Sequence, residues 1–301
     1  MSMTLQQLKY VVTVAECGNI TEAAKQLFVS QPTVTSAIHD LEKEMQIVIF
    51  IRTNKGVILS EDGERFLGHA RQVLEQVDLI EGIYKDDVVS KPHFAVSCQH
   101  YSFAVNAFVD VIREFDAYQY DFTIREEQTH EIIEDVTNLK SELGVIYLSS
   151  KNTEVISKML KRNELEFTEL FTATPHVFIC DSHPLASKNS ITMDDLQDYP
   201  YLTYEQGEYN SQYFSEEFVS TLDSRKNIRV RDRATLFNLI IGLNGYTVCS
   251  GVISAELNGR NIISKPLDVE EYMRIGIISR KGVVLSRYAR EYIEALKAHC
   301  M

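Results

Sequence analysis

Residues 19–42 read NITEAAKQLFVSQPTVTSAIHDLE, and two helix starts follow each other closely in them. Asn19 and Glu22 stand at the spacing of a capping box, in which Asn19 accepts a backbone N–H and Glu22 reaches back, so a helix begins there. This helix ends near Phe28. Ser30 follows after a very short connection and can cap a further helix. Two short helices joined this tightly predict a helix-turn-helix.

The segments on either side complete a winged-helix domain over residues 1–59. Residues 5–15 place apolar side chains on one helical face, and Gly18 follows where a helix end favours a positive φ. Residues 47–59 are rich in β-branched residues and are interrupted by Thr53–Gly56, whose Asn and Gly suit a hairpin tip. We therefore expect an all-α core that carries a two-stranded wing.

A long helical pattern covers residues 60–84. Its apolar side chains recur in alternating steps of four and three residues, which is a heptad pattern. An apolar stripe of this length needs a partner helix, so we expect a dimer formed with the same helix of a second subunit. The polar stretch 85–91, just before Pro92, predicts a hinge. The heptad residues are Phe66, Ala70, Val73, Val77, Ile80 and Tyr84.

The composition is that of a globular chain with more than one domain. Of its 301 residues, 45% are hydrophobic and 24% are charged, and no apolar run reaches the ~18 residues of a membrane-spanning helix. The polar first residues lack the pattern of a secretory signal, so we expect a cytoplasmic protein without membrane contact. Five scattered cysteines predict free thiols and no metal site. A net charge of -13 means that any contact with DNA must be local.

Behind the hinge, short β-rich runs alternate with amphipathic helices, which indicates an α/β fold with a mostly parallel sheet. The first predicted set consists of strands 93–98, 120–125 and 143–148 and helices 103–115 and 130–139. The second consists of strands 166–172, 176–180, 228–230 and 246–249 and helices 193–196, 212–222 and 234–243. A strand over 273–279 and a helix over 287–298 end the pattern.

Spaced residues in and after the helix-turn-helix form a specific signature. They are Ala23, Ala24, Leu27, Val29 to Thr35, Ile38, Leu41, Glu42, Phe50, Arg52 and Gly63, with weaker support from His183 to Leu185 and Leu243 to Gly251. This signature resembles that of the LysR-type transcriptional regulators, and the resemblance covers the whole chain. Gly245 to Cys249 departs from the smaller, more aliphatic segment of many relatives, which leaves the identity of the ligand open.

The resemblance implies a fold and an assembly. It implies two α/β lobes like those of type 2 periplasmic binding proteins, with the chain crossing between them twice. The first lobe would be 92–163 with 268–301, and the second lobe 164–267. It also implies a homotetramer, built as a dimer of dimers on promoter DNA, with RNA polymerase left open as a further partner.

The outward side chains of the third helix are short or neutral polar groups, which suit base edges and phosphates at the start of a recognition helix. Arg52 and Lys55 in the wing, with Arg65 beyond it, would anchor the DNA backbone. Residues 1–65 carry six Lys and Arg against eight Asp and Glu, so the domain is not basic. On an isolated helix, a polar face of this kind would most simply be exposed to solvent. The helix-turn-helix signature is the reason to interpret this face as a DNA-binding surface. The predicted DNA-binding residues are Ser30, Gln31, Pro32, Thr33, Thr35, Ser36, His39, Arg52 and Lys55.

A ligand cleft is predicted at the carboxyl ends of the strands, where open α/β sheets bind ligands. Residues 98–102 lead from the first strand into a helix whose initial N–H groups could bind an anion. We expect a small anionic metabolite there, such as an amino acid, another carboxylate or a sulfur compound. Alternatively, Ser102 only caps its helix and His100 is structural. The predicted effector residues are Gln99, His100, Tyr101, Ser102, Tyr147, Ser149, Thr203, Tyr204, Thr247 and Cys249, with Ser250 beside them.

Three other function classes fit the sequence less well. An enzyme is not favoured, because the sequence has no phosphate-binding glycine loop, zinc spacing or nucleophile elbow, and no cofactor is expected. A secreted solute-binding protein does not fit the N-terminal 90 residues. A thiol-based redox sensor of the same fold is the main alternative, because Cys98 and Cys249 fall near the cleft. No cationic residue flanks either of them in the sequence, although a reactive thiol needs one nearby.

Overall fold

The computed structural model describes residues 3–54, 56–84, 92–115, 119–207, 213–217, 225–253 and 259–300. The chain forms two compact units. One comprises Met1–His93 with the short segments Gln119–Asp121 and Asn138–Lys140, and the other comprises the remainder. None of the described helices is both long enough and apolar enough to cross a bilayer.

The N-terminal unit is a winged helix-turn-helix. Its elements are α1 (Leu5–Cys17), α2 (Ile20–Gln26), α3 (Gln31–Met45), the antiparallel wing strands β1 (Phe50–Thr53) and β2 (Gly56–Leu59), and α4 (Glu61–Tyr84). Its core is formed by apolar residues that recur at helical spacing and are nearly inaccessible to solvent. They include Val11, Val14, Ala23, Ala24, Val34, Leu41 and Ile49.

The helix starts form where the sequence predicts them. The Asn19 side chain accepts hydrogen bonds from the backbone N–H groups of Thr21 and Glu22, at 2.8 and 3.2 Å, so it is the N-cap of α2. The Glu22 carboxylate pairs with Lys25 Nζ at 3.2 Å, so the reciprocal bond of the predicted capping box, from the Asn19 N–H to Glu22, is not formed between these two described residues. The Ser30 hydroxyl accepts from the backbone N–H of Thr33 at 3.3 Å and caps α3. Local side-chain chemistry therefore fixes both helices of the helix-turn-helix.

Helix α4 has the length that the heptad pattern predicts. Its seam residue Ala70 is buried, whereas Val73 and Ile80 further along the seam are 39% and 58% exposed. Large apolar side chains are thus exposed along the part of the stripe that was predicted to meet a second subunit. The predicted hinge, 85–91, lies outside the described residues.

The first lobe of the second unit is a five-stranded sheet in the order β4-β3-β5-β12-β6. These strands are β3 (His93–Cys98), β4 (Asp121–Glu126), β5 (Leu143–Leu148), β6 (Leu165–Ala173) and β12 (Met273–Arg280). The helices are α5 (Ser102–Glu114), α6 (Thr129–Thr137), α7 (Thr153–Arg162) and α9 (Arg287–Cys300). Helices α5 and α9 pack against each other, and the Tyr292 hydroxyl donates to the Ala104 carbonyl at 3.0 Å.

Two sequence predictions about this sheet are corrected. The sheet is mixed, because β3 and β5 are parallel but β12 runs antiparallel to both β5 and β6. Strand β12 is reached by a short connection from the other lobe, without the crossover helix that parallel neighbours need. The resemblance places the strand over 166–172 in a second lobe that begins at residue 164. Because β6 pairs with β12, the chain leaves the first lobe only after Ala173.

The second lobe contains two small sheets. Strand β7 (His176–Cys180) lies between β10 (Thr247–Cys249) and β11 (Ile262–Pro266) and is antiparallel to both, which again departs from the mostly parallel prediction. Strands β8 (Tyr201–Tyr204) and β9 (Asn227–Val230) are parallel. Helix α8 (Arg233–Leu243) and a short 3-10 helix (Asp194–Leu196) complete the described part. The predicted helix 212–222 is wrong over residues 213–217, which form turns and bends, and its other residues lie outside the described ones. Elements α7, β8 and β11 were also missed by the sequence analysis.

Candidate functional site

The first turns of α3 present a polar surface on the N-terminal unit. Val34, Ile38 and Leu41 anchor the helix in the core, which turns the opposite face outward. Two hydrogen bonds order that face: Ser30 Oγ with Thr33 Oγ1 at 2.7 Å, and Gln31 Nε2 to Thr35 Oγ1 at 2.8 Å. Of the residues predicted to bind DNA, Thr35 is half-buried, and those that are exposed are Ser30, Gln31, Pro32, Thr33, Ser36 and His39.

The wing is held close to the end of α1. The Val57 N–H donates to the Gly18 carbonyl at 2.9 Å. A Cβ at Gly56, which has φ +137°, would lie 2.3 Å from the same carbonyl oxygen, so glycine is required there. Arg52 is exposed on β1, and Lys55 lies outside the described residues.

In the second unit, a cavity of about 30 Å³ lies at the start of α5. That volume is enough for one or two water molecules. Its walls come from both lobes, with residues 100–102 on one side and β10 and α8 on the other. Its lining residues are His100, Tyr101, Ser102, Phe178, Tyr204, Glu216, Glu217, Arg233, Leu236, Phe237, Thr247, Val248, Cys249, Ser250 and Val252.

Ser102 is the most informative of these side chains. It is 4% exposed, and its hydroxyl has no hydrogen-bond partner among the described residues. The N-cap of α5 is Tyr101, not Ser102, and it makes no side-chain capping bond. The alternative that Ser102 merely caps its helix is therefore wrong. A buried hydroxyl without a partner is costly and points to a ligand group that would satisfy it.

Two acidic side chains that the sequence reading missed enter the same cavity. Glu216 Oε2 accepts from the His100 backbone N–H at 2.9 Å, and it lies 2.9 Å from His100 Nδ1. Glu217 accepts from the Tyr204 backbone N–H at 2.6 Å and from Ser215 Oγ at 2.9 Å. Burial, reinforced by the neighbouring Glu216 charge, raises the pKa of Glu217 to about 8. Glu217 is therefore mostly protonated at neutral pH, and no local sequence motif marks either residue.

The charges around the cavity are paired. Burial by itself lowers the pKa of His100, but the Glu216 carboxylate outweighs this and raises the pKa above its ordinary value. Arg233, at the start of α8, lies 3.0 Å from Glu126 at the end of β4. Each pair joins a residue of the first lobe to one of the second. The site therefore combines apolar walls with two compensated ion pairs and one unsatisfied hydroxyl.

Six of the ten predicted effector residues line the cavity, and Ser250 does as well. The other four do not. Gln99 is buried, and its amide donates to Thr129 Oγ1 and accepts from the Tyr147 N–H. Ser149 is bonded to Asn152, and Thr203 lies within the β8–β9 pair. The Tyr147 hydroxyl donates to the Ser215 carbonyl at 2.9 Å. The sequence prediction used only the position at a strand end. It could not show which of these side chains already have hydrogen-bond partners within the protein.

Cys17, Cys98, Cys180 and Cys249 are free thiols. Burial raises the pKa of Cys98 well above its ordinary value, and the neighbouring Glu126 raises it further. Burial likewise raises the pKa of Cys249. Both side chains are therefore held as thiols and not as reactive thiolates.

Known proteins match this architecture along its whole length. Residues 5–64 match the family described as "Bacterial regulatory helix-turn-helix protein, lysR family", and residues 97–301 match "LysR substrate binding domain". The chain belongs to the LysR family. As a LysR-type regulator it has a DNA-binding domain followed by a ligand-binding domain, in agreement with the resemblance seen in the sequence.

Individual relatives agree with this assignment. The uncharacterized HTH-type transcriptional regulator YvbU of Bacillus subtilis is 28% identical and is matched over 98% of both chains. The hydrogen peroxide-inducible genes activator of an Escherichia coli strain is 23% identical over 98% of this LysR chain and 95% of its own. A full-length OxyR variant from Pseudomonas aeruginosa has the same fold, with a TM-score of 0.64 at 21% identity over 98% of both chains.

Proposed function

We propose that this LysR-type regulator binds promoter DNA through the start of α3 and the wing, under the control of a small metabolite held in the cavity at the start of α5. The unpartnered hydroxyl of Ser102 carries the second half of this proposal. The cavity joins that hydroxyl to apolar walls from Phe178, Leu236 and Val248. A compact molecule with one anionic group fits this pattern, which is the class of amino acids, other carboxylates and small sulfur compounds.

On the DNA side, the proposal assigns base and phosphate contacts to the exposed polar side chains at the start of α3. Gln31, Thr33 and Ser36 are short enough to approach base edges, and the first N–H groups of the helix favour a phosphate. Arg52 supplies a cation from the wing. The regulator acts as a dimer through α4 and as a dimer of dimers on the promoter, in the cytoplasm, where the promoter is accessible.

The coupling between the two sites follows from the size of the cavity. A volume of about 30 Å³ is far below the ~300 Å³ of a typical ligand pocket, so a metabolite must separate the groups that now close it. The ion pairs His100–Glu216 and Arg233–Glu126 join the lobes and are the groups to be separated. A change in lobe separation alters the spacing of the DNA-binding domains in the assembly, at a coupling energy of typically ~1–3 kcal/mol.

A thermal-shift screen of the full-length protein against cellular metabolites tests the effector half of the proposal. A bound effector raises the unfolding midpoint by an amount that grows with the logarithm of its concentration above its dissociation constant. Replacing Ser102 with Ala should then lower the affinity for that effector about tenfold, because the ligand loses one hydrogen bond. Calorimetry measures this affinity. Ser182→Ala, outside the cavity, is the control. An effector that binds S102A and the wild type equally would remove this cavity from the proposal.

A second candidate function is peroxide or thiol sensing, which the peroxide-inducible relative suggests. The raised pKa values of Cys98 and Cys249 argue against it, because the thiolate is the reactive form. We expect the Cys98→Ser and Cys249→Ser variants to keep the wild-type promoter response after peroxide treatment. A peroxide response that either variant abolishes would favour the redox function instead.

A further inference from the structure

The carboxylate of Glu216 lies at the start of α5, in the position where an anion would be held. Its oxygens accept from the His100 backbone N–H at 2.9 Å and from Gln206 Nε2 at 3.3 Å. The backbone N–H of His100 precedes the first residue of α5, Ser102, which lines the same cavity and whose buried hydroxyl has no partner among the described residues. Glu216 belongs to the segment between β8 and β9, which is part of the second lobe. The second lobe therefore supplies a carboxylate to the anion-binding position at the start of α5 in the first lobe.

The group that Glu216 neutralises is a buried cation. His100 Nε2 faces the Arg231 carbonyl oxygen at 3.1 Å, while Nδ1 faces both Glu216 oxygens at 2.9 and 3.0 Å. Both ring nitrogens therefore face acceptors, which only the doubly protonated imidazolium satisfies. The side chains of His100 and Glu216 are each 4% exposed, and the Tyr204 ring stacks on the imidazole at 3.9 Å.

The residues next to Glu216 are docked into the first lobe as a ligand would be. The Phe214 carbonyl accepts from Thr129 Oγ1 at 2.8 Å, and the Ser215 carbonyl accepts from the Tyr147 hydroxyl at 2.9 Å. Tyr147 lies near the end of β5, one of the strand ends where the sequence predicts effector contacts. The protein's own chain thus makes these two contacts to the first lobe.

We propose that Glu216 is a tethered carboxylate occupying the position of the effector's own carboxylate, and that the effector displaces it from His100. This inference rests on the proposed effector site. The exchange favours a carboxylate over an amine or a neutral group, because a carboxylate keeps the buried imidazolium paired. An unpaired buried cation would be strongly destabilised. The displaced Glu216 regains its hydration in solvent, so the exchange conserves the number of ion pairs.

The test is rescue of the full-length Glu216→Ala variant by sodium acetate. This substitution removes a methylene and a carboxylate, which leaves the space of one acetate ion. Acetate at about 100 mM should raise the unfolding midpoint of E216A by about 3 °C or more, the size expected for a ligand near tenfold its dissociation constant. Wild-type protein should not respond, because its site is filled. Sodium chloride at equal ionic strength and acetamide, the neutral isostere, should have no effect on E216A.

Glu217→Gln is the matched control, because Glu217 is the adjacent buried carboxyl and does not bond His100. It should respond to acetate no more than the wild type. If E216A does not fold, Glu216→Gln takes its place: the neutral amide holds the imidazolium less strongly, so acetate should stabilise E216Q more than the wild type. The proposal would be overturned if acetate stabilised neither Glu216 variant. It would also be overturned if acetate stabilised the wild type and E217Q as much as it stabilised the Glu216 variants.

This outcome is separable from that of the effector site itself. The acetate measurement uses no effector and no DNA, so it reports only whether the Glu216 position accepts an external carboxylate. If acetate does not stabilise E216A while S102A lowers the affinity for an effector found by the screen, the effector site is supported and the role of Glu216 as a tethered carboxylate is overturned. If acetate rescues E216A while S102A has no effect on effector binding, the Glu216 position accepts an external carboxylate but the effector binds elsewhere, and the proposed displacement is overturned.

Discussion

Thr33 lies in the first turn of α3, where its hydroxyl is 2.7 Å from Ser30 Oγ and its side chain is exposed. Replacing it with Glu would place a negative charge against the phosphate backbone at the point of closest approach. We expect T33E to lose at least tenfold in promoter affinity, measured by fluorescence anisotropy with the chain's own upstream region.

Thr33→Ser is the control for that substitution, because it keeps the hydroxyl and its bond to Ser30. It should bind DNA within about twofold of the wild type. Full promoter binding by T33E would show that this turn does not face the duplex.

Glu217 makes stability depend on pH. Its pKa rises from an ordinary 4.5 to about 8 in the folded protein, so the folded state binds the proton more tightly than the unfolded state. The contribution of Glu217 to the free energy of unfolding is therefore fully present below about pH 4.5. It is lost as the pH rises from about 4.5 to about 8. The raised pKa values of His100 and Glu127 act in the same direction.

We expect Glu217→Gln to match the wild type near pH 5 and to be more stable at pH 9, by an amount on the order of a few kcal/mol. The amide keeps the oxygen that accepts from Tyr204 and carries no charge. Urea unfolding at several pH values measures this difference. A wild type and E217Q that lose stability equally with rising pH would contradict a protonated Glu217.

At the level of elements, the position of the wing depends on the close approach of its backbone at Gly56 to the carbonyl of Gly18. A Cβ at Gly56 would collide with the Gly18 carbonyl, at a φ that side-chain-bearing residues rarely adopt. We expect Gly56→Ala to destabilise the N-terminal unit by roughly 2 kcal/mol or more, measured by urea unfolding. Gly242→Ala is the matched control, because Gly242 is in α8 with open space around it and should gain up to ~1 kcal/mol from helix propensity. Equal effects of the two substitutions would argue against a tight wing.

Helix α4 offers a second test at this scale. Val73 and Ile80 are exposed on its apolar stripe, and charges there would be buried against a partner helix. We expect the double variant Val73→Glu, Ile80→Glu to sediment as a monomer at micromolar concentration. Gln76→Glu, at an exposed polar position of the same helix, should leave the oligomer unchanged. A double variant that keeps the wild-type oligomeric state would place the dimer contact elsewhere.

At the scale of the whole molecule, affinity for DNA must come from a few local cations, because the chain carries a net charge of -13. Arg52, Lys55 and Arg65 in each of the four subunits of a dimer of dimers would neutralise about twelve phosphates. We expect the logarithm of promoter affinity to fall with the logarithm of salt concentration with a slope of about −11. A slope steeper than about −15 in a salt titration would require cationic contacts beyond these residues.

The helix-turn-helix and the heptad helix were determined by the sequence alone. The signals for these elements act over a few residues: Asn19 and Ser30 cap the helices that follow them, and the seam over 66–84 repeats at a helical period. Local hydrogen bonds and periodic hydrophobicity need no knowledge of distant contacts, so these predictions could be made from short windows. Most strand positions were predicted for the same reason.

Only the tertiary structure decided which strands share a sheet and which side chains share the cavity. Strand β6 reads like any other β-rich run, and its place beside β12 is set by a partner about a hundred residues away. Glu216 lies 116 residues from His100 along the chain, and no motif links them. Contacts at this separation depend on the packing of the whole chain, because a buried ion pair or an unpartnered hydroxyl exists only once solvent has been excluded from around it.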